Sequence, residues 1–353
     1  MKRGRKYVLL IILTILYNAF ISNYAKAEDL KTVLNLTGYW KFKLGDNLSY
    51  AKADYNDNEW DKIYVPDNWE DRGYYGYDGY AWYRKTFDFP YGANYGNLYL
   101  FFSTIDDVDE VYLNGQLIGG TGSFPPEYIS RWNESRKYYL PKEWLKEKGN
   151  VLAVRVYDSQ GEGGIKSGSV KICFDEETEY LEVDLSGYWK FHLHDNKEWK
   201  NRDYNDSKWE TIYAPMKWDN QGYFNFDGYA WYRKKFQVTA SLLDKGDLYL
   251  ILGKIDDTDK VYINGEYIGS VYDIMKEPFN VRNQGEWYAR RIYEIPHGLL
   301  KQGENVIAIR VHDEQLQGGI YEGPLGILTK KNYERLTEKY KYEKSFWNII
   351  FDI

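Results

Sequence analysis

Two clusters of aspartates stand at equivalent places in the sequence, as "IDDVDE" and "IDDTDK". Several carboxylates within four residues can bind Ca²⁺ through oxygen ligands, or can shift one another's pKa values into the range used in acid and base catalysis. The first interpretation is a turn in which the aspartates accept hydrogen bonds from backbone amides. Calcium is the alternative, and the candidate metal ligands are Asp106, Asp107, Asp109, Asp256, Asp257 and Asp259.

A second set of residues combines tryptophan, arginine and aspartate, a mixture suited to sugars. Pyranose rings have apolar faces that pack on aromatic rings, and hydroxyl edges that pair with carboxylates and guanidinium groups. The candidate sugar-binding residues are Trp69, Asp78, Trp82, Arg84, Arg155 and Asp158, then Trp218, Asp227, Trp231, Arg233, Arg310 and Asp313. The competing interpretation is that the tryptophans fill the core and the arginines form structural ion pairs.

Both sets belong to a sequence that repeats itself. "LTGYWKFKLGDN" at 36–47 returns as "LSGYWKFHLHDN" at 185–196, and the eight residues DGYAWYRK return unchanged. The offset is 149 residues at first and grows to 155 beyond a loop of different length. A tandem duplication explains this pattern, and it divides the chain into domains at 28–178 and 179–330 and a tail at 331–353.

Short alternating segments within each repeat predict β-strands. In "VLAVRV", Leu152, Val154 and Val156 share one apolar face, and the second repeat alternates in the same way. The dipeptide Asn114-Gly115 favours a tight hairpin. With Gly, Pro, Asn and Asp turns and almost no helical period, the predicted fold class is all-β, with two tandem β-sandwich jelly rolls.

The repeated strand "WYRKTF" divides its side chains between two environments. Alternation places Trp82 and Arg84 on one face and Phe87 on the other. Because Lys235 replaces Thr86 in the second repeat, we expect the Trp82 face to be the wetter one. Phe87 is then expected to anchor the core.

The first 27 residues have the pattern of a secretory signal peptide. Basic residues precede an apolar run from Tyr7 to Ile21, and "AKA" places cleavage before Glu28. An uncleaved N-terminal anchor is the alternative to a secreted or periplasmic location. Cleavage removes five of 46 basic residues and none of 53 acidic ones, leaving a formal charge of −12. This charge argues against nucleic acid or a membrane surface as partner.

Several motifs occur in the same order in both repeats: GYW, P-x-x-W, WYRK-x-F, IDD-x-D-x-VY-x-NG, N-V-x-A-x-RV-x-D and GGI. In this order they resemble the sugar-binding, galactose-binding-like jelly-roll domain of glycoside hydrolase family 2, which is also found appended to sialate O-acetylesterases. The resemblance covers nearly all of the chain after residue 27. It implies that the loop ending at the GI pair approaches a sugar. The positions implied are Asp158, Gly164 and Ile165, then Asp313, Gly319 and Ile320.

The resemblance implies sugar binding without catalysis. The catalytic carboxylates of family 2 lie on a separate barrel of about 250 residues, for which residues 331–353 leave no room. No G-x-S-x-G, H-E-x-x-H or phosphate-loop motif offers other chemistry, so no catalytic residue is assigned. We expect an exported, non-catalytic carbohydrate-binding protein with a glycan or polysaccharide as partner, and no cofactor besides the calcium considered above.

Two other functional classes stay open. The fold can serve without sugar binding, as a structural or adaptor protein or as a sensor ectodomain. A component of a glycoside hydrolase or carbohydrate esterase is the other alternative. The tail has helical spacing at Tyr333, Leu336 and Tyr340, which predicts a short helix that packs on the second repeat or binds a partner protein.

Overall fold

The computed structural model describes residues 30–90, 92, 95–280, 285–315 and 317–351, with 342–351 described by backbone alone. Within these ranges the chain folds into β-sandwiches joined end to end, so the all-β sandwich prediction is confirmed. No helix in the described part of the chain is long and apolar enough to cross a bilayer. The predicted signal peptide, residues 1–27, lies outside the described residues.

The first sandwich packs two antiparallel sheets face to face. Its described strands are β1 (Leu30–Asn35), β2 (Gly38–Leu44), β3 (Asp61–Val65), β4 (Gly79–Phe87), β5 (Leu98–Asp106), β6 (Val108–Leu113), β7 (Gln116–Thr121), β8 (Arg136–Tyr139), β9 (Asn150–Asp158) and β10 (Gly164–Asp175). One sheet has the described strand order β1-β10-β5-β8, and the other has the order β3-β2-β4-β9-β6-β7.

The second sandwich uses the same order of strands. Its described strands are β11 (Val183–Asp184), β12 (Gly187–Leu193), β13 (Glu210–Ala214), β14 (Gly228–Val238), β15 (Leu248–Asp256), β16 (Thr258–Ile263), β17 (Glu266–Ser270), β18 (Arg291–Ile295), β19 (Gly303–Asp313) and β20 (Gly319–Thr329). The sheets are ordered β11-β20-β15-β18 and β13-β12-β14-β19-β16-β17. Each strand of the second sandwich therefore occupies the place of the strand ten numbers earlier.

Helices are short except at the end of the chain. The described α-helices are α1 (Ala240–Leu243), α2 (Val271–Ile274), α3 (Gly285–Tyr288) and α4 (Lys330–Phe351). Single 3₁₀ turns occur at Leu48–Ala51, Glu70–Arg72, Lys142–Trp144, Glu176–Tyr180, Lys197–Lys200 and Asp219–Gln221. These turns lie in connections between strands.

Each core lies between the two sheets of one sandwich. Leu152, Val154 and Val156 of β9 are fully buried there, as their alternation predicts. Phe87 and its counterpart Phe236 also lie in the two cores, so their predicted inward orientation is confirmed. The inner faces of antiparallel strands bury apolar side chains at every second position, which explains why this part of the fold could be predicted.

The hairpin between β6 and β7 turns at Asn114 and Gly115, as predicted. Their φ angles are 52° and 89°, in the left-handed region that this tight turn requires and that Asn and Gly adopt most readily. Asn264 and Gly265 turn the equivalent hairpin with φ angles of 51° and 90°. The two hairpins place β7 and β17 at an edge of the six-stranded sheets.

The tail forms α4, which lies against the second sandwich. Leu336 and Tyr340 are buried in an apolar cluster with residues of β15, β18 and β20. The ring of Tyr333 stacks on Tyr249 with centroids 4.0 Å apart. The Tyr340 hydroxyl donates to Glu177, in the connection between the sandwiches. The helix therefore joins this connection to the second sandwich.

Candidate functional site

The last aspartate of each acidic motif belongs to the core. Arg136 Nε donates to Asp109 Oδ1 at 2.7 Å, and the Tyr138 hydroxyl donates to Oδ2. Asp259 makes the same pair with Arg291 at 3.0 Å and accepts from an equivalent tyrosine. Both carboxylates are buried with both oxygens occupied. In this arrangement neither Asp109 nor Asp259 offers a free oxygen to a metal.

The other aspartates meet a further carboxylate at one end of each sandwich. β5 ends at Asp106, which pairs with Gly164 at the start of β10, and β9 ends at Asp158. Oxygens of Asp106, Asp107 and Asp158 lie within 4.8 Å of one another, and we call these residues the first acidic cluster. The second acidic cluster, with the same spacing, consists of Asp256, Asp257 and Asp313.

The first acidic cluster is largely satisfied by its own neighbours. Lys166 Nζ lies 2.9 Å from Asp106 Oδ2. Asp107 accepts hydrogen bonds on both oxygens, and its donors are Tyr128, Ser130 and Ser159. Asp158 accepts one bond from the Gln160 amide at 3.2 Å, and its Oδ2 is buried with no hydrogen-bond partner among the described residues.

The second acidic cluster has fewer partners. Asp313 is fully buried, and neither of its carboxylate oxygens has a hydrogen-bond partner in the described part of the chain. Asp257 accepts from the Glu314 amide at 3.0 Å. Tyr321 stands where the first sandwich has Lys166, and its hydroxyl donates to a backbone carbonyl instead. The second cluster is thus without the lysine that neutralises the first.

Glycines allow the loops after β9 and β19 to close over these carboxylates. A Cβ atom at Gly163 would lie 2.1 Å from the Trp69 ring and 2.8 Å from Asp158 Oδ2. Gly164, a predicted site residue, has φ of 120°, and a Cβ there would lie 2.8 Å from the Tyr83 hydroxyl. The equivalent residues Gly318 and Gly319 are equally confined. The GGI motif therefore serves close packing of the backbone.

Burial shifts the pKa values of these carboxyls upward. It raises the pKa of Asp158 to about 7, that of Asp313 to about 8 and that of Asp106 to about 6, with neighbouring aspartates adding to the effect. Burial and the adjoining carboxyl of Asp257 also raise the pKa of Asp256. Burial acts in the same direction on Asp107, but its hydrogen bonds outweigh it and lower the pKa to about 2.

After removal of divalent cations with a chelator, we expect the melting temperature of the protein to fall between pH 5 and pH 7.5. A carboxyl whose pKa is raised in the folded state keeps its proton after the unfolded chain has lost it, so stability declines as pH rises towards the folded pKa. Asp106, Asp158, Asp256 and Asp313 act in this direction. The lowered pKa of Asp107 changes the stability only below about pH 4, which lies outside the range from pH 5 to pH 7.5. Each kcal/mol lost corresponds to about 2–4 °C, which scanning calorimetry at constant ionic strength will resolve.

Asp313→Asn provides the matched control for this pH dependence. The amide carries no charge at any pH, so the variant should melt higher than wild type at pH 7.5 and vary less with pH. Glu59→Gln alters an exposed carboxylate that does not act on the shifted aspartates, and it should leave the profile unchanged. A wild-type melting temperature that rises from pH 5 to pH 7.5 would contradict the expected sign.

The face that carries Trp82 and Arg84 is covered, so the prediction that it is the wetter one is wrong. Trp82 is fully buried, and its Nε1 donates to Asp46 at 3.1 Å. Arg84 Nε donates to Asp57 at 2.7 Å, and its Nη1 donates to backbone carbonyls of residues 50 and 52. The second sandwich repeats this arrangement with Trp231, Arg233, Asp195 and Asp206. The two tryptophans and two arginines therefore lie beneath the segments that supply these partners, and they present no surface to a sugar.

Trp69 and Trp218 are also structural. Both side chains are fully buried and belong to the two hydrophobic cores. Trp69 Nε1 donates to the Tyr77 carbonyl at 3.1 Å. The competing interpretation of the tryptophans as core residues is therefore confirmed, and none of the four predicted tryptophans offers a face to a ligand.

Arg155 lies in a partly exposed group of rings on the outer face of the first sandwich. Its guanidinium carbon is 4.1 Å from the centroid of Phe124 and 4.9 Å from that of Tyr80. The rings of Tyr80 and Phe124 are nearly parallel, with centroids 5.8 Å apart, and Tyr157 lies 4.7 Å from Tyr80. We call Tyr80, Phe124, Arg155 and Tyr157 the aromatic patch. None of its three rings is fully buried.

Carboxylates flank the aromatic patch. Arg155 pairs with Asp46 through Nε at 2.8 Å and with Glu110 through Nη1 at 3.1 Å. The ring of Tyr128 lies 5.6 Å from Tyr157, and its hydroxyl donates to Asp107. The patch and the first acidic cluster are therefore adjacent.

The equivalent surface of the second sandwich is smaller. Arg310 pairs with Asp195 through both Nε and Nη2, at 2.7 and 2.6 Å, and lies 3.9 Å from the centroid of Tyr229. His312 replaces Tyr157, with its ring 4.2 Å from Tyr229. After β17 the chain turns into α2 rather than into the loop that carries Phe124.

Sequence reasoning missed the rings of the patch. Tyr80 shares a strand face with Trp82, and Tyr157 shares one with Arg155, so alternation could have found both. Phe124 stands in the loop after β7, where no period signals its position. Asp78 and Asp227 of the predicted site are exposed, and the charge of Asp78 helps to raise the pKa of Asp158.

Comparison with known proteins agrees with the fold. Residues 45–163 match the family model of the beta-galactosidase second all-beta domain. A putative beta-glucuronidase of Formosa agariphila is 29% identical over 165 residues, which are 43% of this chain and 14% of that protein. A beta-galactosidase of Bacteroides ovatus is 31% identical over 134 residues, or 34% of this chain and 15% of that protein.

Over the matched segments the chain is similar to the all-β domains of glycoside hydrolase family 2. The resemblance drawn from its motifs is thus confirmed. The crystal structure of a Bacteroides uniformis beta-glucuronidase aligns at 15% identity and a TM-score of 0.35, over 82% of this chain and 28% of that one. The chain spans about one seventh of the length of the two family 2 relatives above, at 14% and 15%.

The segment that matches the beta-galactosidase domain model contains both the aromatic patch and the first acidic cluster. It runs from the end of β2 to Gly163, and so includes the aromatic patch and all three carboxylates of the first acidic cluster. The residues that cover Trp82 lie inside it as well, as does Gly163, whereas Gly164 follows the segment directly.

Proposed function

We propose that the chain is an exported, non-catalytic carbohydrate-binding protein that holds sugar on the aromatic patch of its first sandwich. The observation that carries the proposal is the patch itself, where Tyr80, Phe124 and Tyr157 surround the Arg155 guanidinium beside an acidic cluster. The family 2 relatives are a beta-glucuronidase and a beta-galactosidase by name, which favours carbohydrate as the class of ligand.

The chemistry of the patch suits a pyranose ring. Apolar ring faces of a sugar pack on aromatic side chains, and its hydroxyl groups accept from a guanidinium and donate to carboxylates. The patch offers three rings, one guanidinium and the carboxylates of Asp46 and Glu110. The smaller surface around Arg310 offers a second, weaker site, and two linked weak sites gain avidity on a polymeric glycan.

The acidic clusters favour binding over glycoside hydrolysis. Glycosidases hold two carboxyl groups about 5–5.5 Å or 6.5–9.5 Å apart, on either side of the scissile bond. Here the cluster oxygens lie within 4.8 Å of one another, and Asp158 and Asp313 are fully buried. The two fully buried carboxyls cannot flank a sugar bond in this arrangement.

Glycan binding by the chain from Glu28 onward is the test. We expect retention on at least one polysaccharide or array glycan, and Phe124→Ala should weaken that binding about fivefold to tenfold, because one stacked ring contributes about 1 kcal/mol. Tyr39→Ala is the matched control, since Tyr39 is an exposed ring near the other end of the same sheet. Affinities by titration calorimetry will separate the two variants.

Two results would overturn the proposal. One is the absence of retention on every glycan offered, by a protein whose melting transition shows that it is folded. The other is an affinity of Phe124→Ala equal to that of wild type and of Tyr39→Ala, because the patch would then not be the contact surface.

A further inference from the structure

We propose that the second sandwich binds one divalent cation of the calcium class at Asp256, Asp257 and Asp313, and that the first sandwich does not. The proposal concerns the carboxylates at the end of the second sandwich and is independent of sugar binding. It assigns different roles to two clusters whose sequences and backbones are alike.

Buried oxygens without partners point to a missing ligand. Asp313 is fully buried, and neither oxygen accepts a hydrogen bond from the described residues. A buried carboxylate without partners is costly and rare, and it calls for an ion, a water or a proton. Asp256 and Asp257 each place an oxygen within 4.8 Å of an Asp313 oxygen and of one another.

The spacing of these oxygens fits a Ca²⁺ ion. Calcium takes carboxylate oxygens at about 2.3–2.6 Å, so two ligands across the ion are separated by at most about 5 Å. The oxygens of the second acidic cluster meet this condition as they stand. Mg²⁺ fits less well, since its shorter bonds and strict octahedron need a tighter set.

The charge around the second cluster is left unbalanced. Asp219 and Asp227 act on Asp313 in addition to the cluster carboxyls. Lys217 and Arg291 are cations that act on Asp256, but Lys217 Nζ donates to the Gln317 side-chain oxygen at 2.5 Å and Arg291 pairs with Asp259. A cation between the carboxylates would offset their mutual repulsion, which together with burial raises the pKa values of Asp256 and Asp313.

The first cluster already contains its own cation. Lys166 Nζ lies 2.9 Å from Asp106 Oδ2, where it occupies an oxygen that a metal would need. Hydroxyl and amide donors occupy both oxygens of Asp107. In the second sandwich the residue at the Lys166 position is Tyr321. The change from Lys166 to Tyr321, together with the different donors to the second aspartate, therefore separates a neutralised cluster from one with unpaired oxygens.

Terbium luminescence and calorimetry test the site on the chelator-treated chain at pH 8, without glycan. The Trp218 ring and Asp313 both border Gly318, so Trp218 should sensitise Tb³⁺ bound there. We expect one Tb³⁺ per chain, displaced by Ca²⁺, and a melting temperature raised by Ca²⁺. Asp313→Asn should abolish the signal, and the matched variant Asp158→Asn should keep it.

Tyr321→Lys keeps the test decisive if Asp313→Asn folds poorly. It brings the lysine of the first sandwich into the second cluster, so we expect a folded protein that binds no Tb³⁺ or Ca²⁺. Wild type without saturable binding would overturn the proposal. Binding lost in Asp158→Asn and kept in Asp313→Asn would do so as well, as would Tyr321→Lys with wild-type affinity.

Discussion

Asp109→Ala is expected to lower the free energy of unfolding by about 3–5 kcal/mol, because it leaves a buried arginine without its counter-ion. Asp109 and Arg136 have no exposed side-chain surface, and Arg136 Nε is 2.7 Å from Asp109 Oδ1. Tyr138 loses its hydrogen bond to Asp109 in the same substitution and keeps the one with Thr121. Urea unfolding followed by tryptophan fluorescence will measure the loss.

The control for this prediction is an exposed ion pair. Lys235→Ala breaks a 3.0 Å contact with Glu304 at the surface, and exposed pairs contribute at most about 1 kcal/mol. The double variant Asp109→Leu/Arg136→Met should regain part of the lost stability, because it removes the unpaired charge. A loss in Asp109→Ala no greater than that in Lys235→Ala would refute the prediction.

Trp82→Ala is expected to destabilise the first sandwich by about 3–5 kcal/mol, as large-to-small changes at buried tryptophans do. The ring is fully buried among Ala51, Trp60 and Ala153, and it donates a hydrogen bond to Asp46. Its removal leaves a cavity below residues 50–60, the segment that covers this face of the sheet. Thermal and urea unfolding measure the effect, with no glycan present.

Trp82→Phe and Tyr39→Ala are the controls for this second prediction. Phenylalanine keeps most of the packing and loses the hydrogen bond to Asp46. Trp82→Phe should therefore lower the free energy of unfolding distinctly less than Trp82→Ala. Tyr39 is an exposed ring on the same sheet, and its truncation should change stability by less than about 0.5 kcal/mol. If Trp82→Ala were as stable as Tyr39→Ala, the ring would not be the structural element that its burial indicates.

Local patterns were enough to predict the two sandwiches. Alternation in β9 placed Leu152, Val154 and Val156 in the core, and the Asn114-Gly115 turn followed from the φ angles that those residues allow. Such features depend on neighbours two to four residues away. The order of motifs likewise indicated the family 2 relationship.

The candidate site could be predicted only in part. Arg155 and Asp158 are predicted sugar-binding residues and Asp106 and Asp107 predicted metal ligands, and the structure places Arg155 among aromatic rings and the three aspartates together. Trp82 was assigned to a wet face because alternation distinguishes two faces of a strand but does not show what covers each. The covering segment reaches it through contacts such as that of Arg84 with Asp57, 27 residues away in sequence.

The amino-acid sequence was thus sufficient for strands, turns and their repetition, since these follow from the period of apolar residues and from backbone preferences. The tertiary structure decided which carboxylates have a cationic partner and which have none among the described residues. Asp109 is neutralised by Arg136 from another strand, Asp106 by Lys166, and Asp313 by none of the described residues. These differences arise from side chains that are far apart in the chain and meet only after folding, so no local pattern records them.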